Sequence, residues 1–296
     1  MKKAQAYTSC RSEKPFTSAV PALLWQSLFF YLPLLILMVT SIMKFSEKGN
    51  FEGFSLSTIT PFFNKTYLKV IGFSLTLALS NAIFCLLIGF PFAYTLAFKI
   101  NKYKNLFLFL LMVPFWTNFL LHVYAWFYVL EKGGIINTFL QKLGLINDPK
   151  SMLNNGYAIM IMMVYYYLPF FIIPIYTTLE RFDKKLIEAS SDLGASWYET
   201  FRNILLPLSK NGLRSGFFLV FIPSFGEFAI PELMGGDKYM FAGSVISHFI
   251  LGDQTGSLGA AFALVSSLTL LIVSLLLYKA FDKLLAPRTS YAKLTI

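Results

Sequence analysis

The stretch ERFDKKLIEASSDLGASWYETFRNILLPLSKNG, residues 180–212, interrupts a chain otherwise built of long apolar runs. It is much longer than the basic link at 99–104. Its local chemistry predicts two short helices. Asp183 is placed to cap the first, which runs through Leu186, Ile187 and Ala189 toward Leu193. Gly194 suits the left-handed position just past a helix end. Ser196 and Glu199 form S-x-x-E, the capping box that opens a second helix. Pro207 disfavours continuation beyond Leu206. The expectation is helix, sharp turn, helix, with Glu188 exposed on the first. Small Ala189 and Ser190 stand beside it, where another protein can approach closely. A long structured loop of this kind reads as a docking surface.

Outward from this loop the composition excludes an ordinary soluble fold. Of 296 residues, 56% are hydrophobic and 14% charged, against about 25% charged in soluble domains. Mean hydropathy is +0.62. A soluble core of this size cannot hide that much apolar surface, so lipid is the natural solvent. The net charge of +10 does not imply nucleic acid, because the basic residues sit in short clusters between apolar runs. Cys10 and Cys85 have no CxxC partner, so neither a disulfide framework nor a zinc site follows. His122 and His248 stand alone in the sequence, and no metal role is assigned to them.

A membrane-crossing helix needs about 20 apolar residues. The runs predict six spans, at about 20–43, 70–98, 105–130, 157–179, 213–236 and 256–278, within a single membrane domain at 20–283. The first run is too long for a signal-peptide core and lacks a clear cleavage site, so it reads as a retained anchor. The fifth is interrupted by Glu227 and Glu232. Backbone groups in lipid must be bonded internally, which favours helices, and no alternating barrel pattern appears. With both ends in the cytoplasm, 17 of the 25 Lys and Arg residues fall on the inner side. That orientation makes 1–19 and 284–296 cytoplasmic tails and puts the 180–212 loop inside. Between Gly133 and Leu145, Ile135, Ile136, Phe139, Leu140 and Leu143 recur at helical spacing. They predict a short amphipathic helix at the outer interface, lying on lipid or touching a partner.

Glu188-Ala189-Ser190, then Gly194, Ile204, Leu206 and Pro207, resemble the EAA loop of ABC-importer permeases. The spacing matches; Ser190 in place of a second Ala is the one departure. Six spans with this loop between the fourth and fifth resemble the type I importer permeases. The stretch 221–236, FIPSFGEFAIPELMGG, is similar to the spermidine/putrescine permeases, particularly the putrescine-type subunit. The resemblance covers roughly 20–283. It implies a pore formed with a second permease, a different chain, and two ATPase subunits bound below it. It also implies a periplasmic or extracellular polyamine-binding protein and a bacterial inner-membrane location. The chain itself has no G-x-x-x-x-G-K-[ST] phosphate loop. No cofactor is therefore assigned to it, and ATP is assigned to the partner.

The acids in the fifth span are candidates for the substrate path, because an intramembrane acid usually faces a cavity or a partner. Five positions apart, Glu227 and Glu232 would not share a face of one continuous helix. Pro223, Pro231, Gly226, Gly235 and Gly236 make a broken helix plausible, which relaxes that constraint. Each acid either offsets the charge of a polyamine ammonium or serves a structural hydrogen bond. Trp116, Tyr124 and Trp126, with Tyr165, Tyr166 and Tyr167, either offer cation–π faces or pack helices. Two rivals remain: a permease of the same class for another small solute, and an ion-coupled secondary transporter, which needs no docking loop. No metalloprotease motif or Ser/His pair supports an intramembrane enzyme.

Overall fold

The structure is a computed structural model that describes residues 15–45, 51–100, 102–236, 239–252 and 255–285. Cys10, the basic residues Lys2, Lys3, Arg11 and Lys14 of the first tail, and Arg288 and Lys293 of the last lie outside the described residues.

The chain is helical almost throughout. Helix α1 (Ala19–Ser41) leads into a small antiparallel hairpin of β1 (Met43–Phe45) and β2 (Phe51–Phe54). Helix α2 (Lys65–Lys99) follows, then α3 (Lys104–Trp116), α4 (Phe119–Leu130) and the short α5 (Ile135–Lys142). Helix α6 (Gly156–Glu180) precedes the long polar loop, which forms α7 (Lys185–Asp192) and α8 (197–208). The chain then runs through α9 (Lys210–Gly226), α10 (Ala229–Gly235), α11 (Ala242–Gly252) and α12 (Gly256–Leu284). Among the described residues, helices α1, α2, α6 and α12 are each long and apolar enough to cross a bilayer, and the count rises to six if each of two bent pairs is one span.

The stretch 105–130, read from sequence as one span, is bent: the chain turns by 98° between Lys104–Trp116 and Phe119–Lys142. Pro114 lacks an N–H, and the turn at Val113–Trp116 tightens to a 3-10 helix. Thr117 and Asn118 are extended, and the Asn118 side chain accepts from Leu120 N at 2.8 Å, so a new helix starts there. The second bent pair, α9 and α10, breaks by 65° after Gly226.

Helices α2, α6 and α9 pack against one another and form the core. Ala78, Ala82 and Cys85 of α2, Met163 and Phe171 of α6, and Val220 and Phe221 of α9 are fully buried. Between helices in lipid, close packing replaces hydrophobic exclusion as the driving term, and small residues permit it. A Cβ on Gly212 would lie 2.5 Å from Thr178 Oγ1 and 2.8 Å from the Pro174 carbonyl; one on Gly216 would lie 2.9 Å from the Phe171 carbonyl. These two glycines, four residues apart, set the α6–α9 distance. Asn81 Nδ2 donates to Ser224 Oγ at 2.7 Å across the buried α2–α9 seam. Helix α1 stands apart: it packs along α12 and is exposed over most of its length.

Replacing Gly216 by Leu should push α6 and α9 apart and cost about 1–3 kcal/mol. The expected outcome is a lower unfolding midpoint of the purified protein in detergent. Gly72→Ala, where a Cβ meets nothing within 4 Å, should not lower it. Equal midpoints for Gly216→Leu and the unsubstituted protein would show that the seam is loose.

Candidate functional site

Two places concentrate structure that packing alone does not require: the polar loop and the pair of helix breaks.

The loop forms the turn that its sequence predicts. Asp183 Oδ1 accepts from Lys185 N at 3.0 Å and opens α7. Helix α7 ends with Ala195 N bonded to Ser190 O and Gly194 N bonded to Ser191 O, and Gly194 has φ +80°. This is a Schellman closure, which favours glycine. The Ser196–Glu199 capping box is complete. Its Ser196 N–H and hydroxyl hold the Glu199 carboxyl below the usual carboxylate range.

Two expectations need correction. Ser190 is buried, not beside Glu188 on the open face; its hydroxyl pairs with Thr200 Oγ1 at 2.8 Å and ties α7 to α8. The second helix does not stop at Leu206. A π-turn at Phe201–Leu205, with Leu206 N bonded to Phe201 O, widens the helix ahead of Pro207, and helix continues through Leu208.

The loop therefore has an anchored side and an open side. Ring contacts hold it down: Phe201 meets Phe90 of α2 edge-on at 5.4 Å and stacks on Trp197 at 5.3 Å. Ser190 is buried and Ile204, Leu206 and Pro207 are half-buried, whereas Glu188, Ala189 and Gly194 are exposed. Leu193 is 89% exposed, and Leu186, Trp197 and Tyr198 are also open. Large exposed apolar side chains on an otherwise polar loop mark a contact surface for protein or membrane.

The helix breaks carry the second cluster. Glu227 sits at the end of α9. Its Oε1 accepts from Ala229 N at 3.1 Å and Ile230 N at 3.4 Å, so the carboxylate caps α10; its Oε2 accepts from the Tyr167 hydroxyl at 2.8 Å. Tyr167 meets Tyr166 edge-on, and Tyr166 packs on Phe115 and Phe119 beside the first break. Tyr165 packs on Trp126. Glu232 is exposed on α10 without a side-chain partner among the described residues, so the break separates the two acids. Trp116 and Tyr124 are 72% and 61% exposed and do not join the Glu227 cluster: Trp116 packs on Phe109 of its own helix α3, and α4 turns Phe119, His122 and Trp126, not Tyr124, toward α6.

His122, which sequence reading left without a role, closes the first break. Its Nε2 lies 2.9 Å from the Pro114 carbonyl and against Thr117 Oγ1, and its Nδ1 lies 3.0 Å from the Tyr165 hydroxyl. A carbonyl only accepts, so in the neutral ring Nε2 carries the proton and Nδ1 accepts from Tyr165. Among the described residues no group of three His, Cys, Asp or Glu side chains is arranged to hold a metal.

Helices, loop and breaks together define a membrane permease subunit. Residues 86–290 match the family described as binding-protein-dependent transport system inner membrane component, and the chain belongs to that family. The spermidine/putrescine transport system permease protein PotB of Escherichia coli K12 is 38% identical over 265 residues, covering 88% of this chain and 95% of that protein. The protein of the same name from Haemophilus influenzae is 35% identical over 263 residues, covering 88% and 91%. The fold is also that of a chain from a bacterial ABC transporter involved in alginate import. At 15% identity it matches with a TM-score of 0.68 over 91% of this chain and 95% of that one.

Tyr167→Phe removes the hydroxyl that Glu227 accepts. A hydrogen bond to a charged group contributes about 1.5–3 kcal/mol, so the purified variant should melt earlier. An unchanged midpoint would mean that the bond does not hold the second break.

Proposed function

We propose that this chain is one permease subunit of an ATP-driven polyamine importer, taking putrescine or spermidine across the bacterial inner membrane. The two-helix loop carries the coupling part of this reading: a rigid turn with an open apolar face, anchored to the core through Phe201. Relatives named as spermidine/putrescine permeases support the substrate class.

In this reading both termini and the loop are cytoplasmic, as the distribution of Lys and Arg favours. Glu188, Ala189 and Gly194 face a cleft of an ATPase subunit, while Ser190, Ile204, Leu206 and Pro207 fix the loop to the spans. ATP is bound and hydrolysed on two such partner subunits, and this chain binds no cofactor. A second permease, a different chain, completes the pore, and an outer binding protein delivers substrate. ATPase closure draws the paired loops together and switches the pore between inward-facing and outward-facing states, a two-state element biased by nucleotide. Glu227 lines the path and offsets the ammonium charge, and Glu232 stands nearer the outer end. Trp116 and Tyr124 offer aromatic faces toward the pore.

The test is uptake of labelled putrescine and spermidine in cells lacking this chain, with its partners present. Wild type should restore uptake, and Gly194→Val should not at equal membrane abundance, because a β-branched residue is strained in the left-handed region. Glu227→Gln keeps an oxygen to cap α10 but removes the charge. It should lower uptake about fivefold, the effect of roughly 1 kcal/mol of lost attraction. Restored uptake of another solute but no polyamine would sink the substrate reading. A fully active Gly194→Val would sink the account of the loop.

A further inference from the structure

Between α5 and α6 the chain returns toward the end of α4. Leu145 N bonds to Leu140 O at the start of this return, and Met152 N bonds to Leu130 O at its end, each at 3.0 Å. The return loop is thus pinned at both ends. A cavity of about 380 Å³ is lined by Asn137 of α5 and by Ile146, Asn147, Asp148, Lys150 and Met152 of the loop.

Asn137 is 1% exposed. Its Nδ2 donates to the Glu131 carbonyl at 3.0 Å and to the Lys150 carbonyl at 2.9 Å. A carbonyl only accepts, so the amide cannot be turned round. Its Oδ1 is then the free end of a side chain that lines the cavity, and no donor reaches it among the described residues. A buried amide oxygen left unmet is costly and calls for an explanation. Asn147 and Asp148 are exposed, and Asp148 has no ion pair among the described residues.

The lining therefore supplies three acceptors, one of them charged, beside the apolar side chains of Ile146 and Met152. A primary ammonium carries three N–H donors and one positive charge. An aliphatic chain attached to it matches the two apolar residues, whereas a bare metal ion would leave them and most of the volume unused. Lys150 is the opposing charge in the lining. It weakens the attraction without abolishing it, because exposed charges act through water.

We infer that this cavity is an outer-face site for the primary ammonium group of an aliphatic amine, the chemistry of putrescine and spermidine. Asp148 supplies the charge, Asn137 Oδ1 and Asn147 accept the remaining N–H groups, and Ile146 and Met152 cover the methylenes. Glu227 is not part of this lining, so the site is additional to the one on the path. The assignment deepens the polyamine reading proposed above and takes its orientation from it.

The assembled transporter, purified in detergent without its outer binding protein, is dialysed against labelled putrescine. Asp148→Asn should weaken binding about fivefold and Lys150→Gln should strengthen it about threefold, since each removes one exposed charge of opposite sign. Neither side chain holds a hydrogen bond to the rest of the fold, and both variants should keep the melting midpoint of the unsubstituted protein. Tetramethylammonium at matched ionic strength carries the charge but no N–H, and should not displace putrescine. Equal affinity in the three proteins would overturn the site. Displacement by tetramethylammonium would overturn recognition through hydrogen bonds. Uptake in cells separates this from the proposed function: polyamine uptake with binding unchanged in Asp148→Asn sinks the site alone, and Asp148-dependent binding without polyamine uptake sinks the transport reading alone.

Discussion

Every backbone donor and acceptor at membrane depth must find a partner inside the protein, because lipid offers none. A straight helix meets this condition by itself. A broken one does not, and each break in this chain is closed by side chains. At the first, Asn118 caps α4, while Thr117 and His122 both engage the Pro114 carbonyl. At the second, a single carboxylate, Glu227, takes two N–H groups of α10. Both closures reach α6 through neighbouring tyrosines, Tyr165 from His122 and Tyr167 from Glu227. The two bends are therefore referred to one rigid helix. That helix is in turn fixed against α9 by Gly212 and Gly216, whose missing side chains let backbone approach backbone. Tight packing and polar closure serve one end: they hold irregular backbone at a depth where it would otherwise unravel.

The polar loop at 180–212 obeys a different rule. Water satisfies its backbone, so its shape depends on local capping, and local capping is written in short sequence patterns. Gly194, Ser196 and Glu199 formed the turn their spacing predicts. The straight spans were legible for a similarly simple reason, since length and apolarity alone decide them. The 98° bend in 105–130 was not legible. Pro114 alone tolerates a mild kink; the extended Thr117–Asn118 step turns the chain, and the His122–Tyr165 bond ties that step to α6, between residues 43 apart in sequence. Ser190 misled for the same reason. Its burial depends on Thr200 across the turn, and helical spacing within α7 does not reveal a partner on the next helix. Pro207 misled because the rule for proline assumes an α-helical turn before it, and here that turn is π.

The candidate path residues were legible as chemistry but not as an arrangement. Two acids and a row of aromatics can be picked from sequence, and the glycines and prolines at 223–236 allow a break without placing it after Gly226. The structure sorts them. Glu227, half-buried, bonds to the buried Tyr167, Glu232 is turned out, and Trp116 and Tyr124 stand on open faces. Interior and open positions suit different tasks, since an open aromatic on a membrane helix meets either lipid or another protein.

A carboxylate offers about four lone-pair directions, and Glu227 spends three of them on Tyr167, Ala229 and Ile230. One direction remains. On the proposed function, a passing ammonium group then gains a single charged contact and not a full coordination shell. Such a site attracts a cation without trapping it, which conduction through a path requires. The same three bonds fix the carboxylate in place, so no side-chain ordering is needed when the cation arrives. Structural closure of the break and weak attraction of substrate are thus compatible in one residue. Glutamine at this position separates them: its amide oxygen still accepts from α10, but it carries no charge.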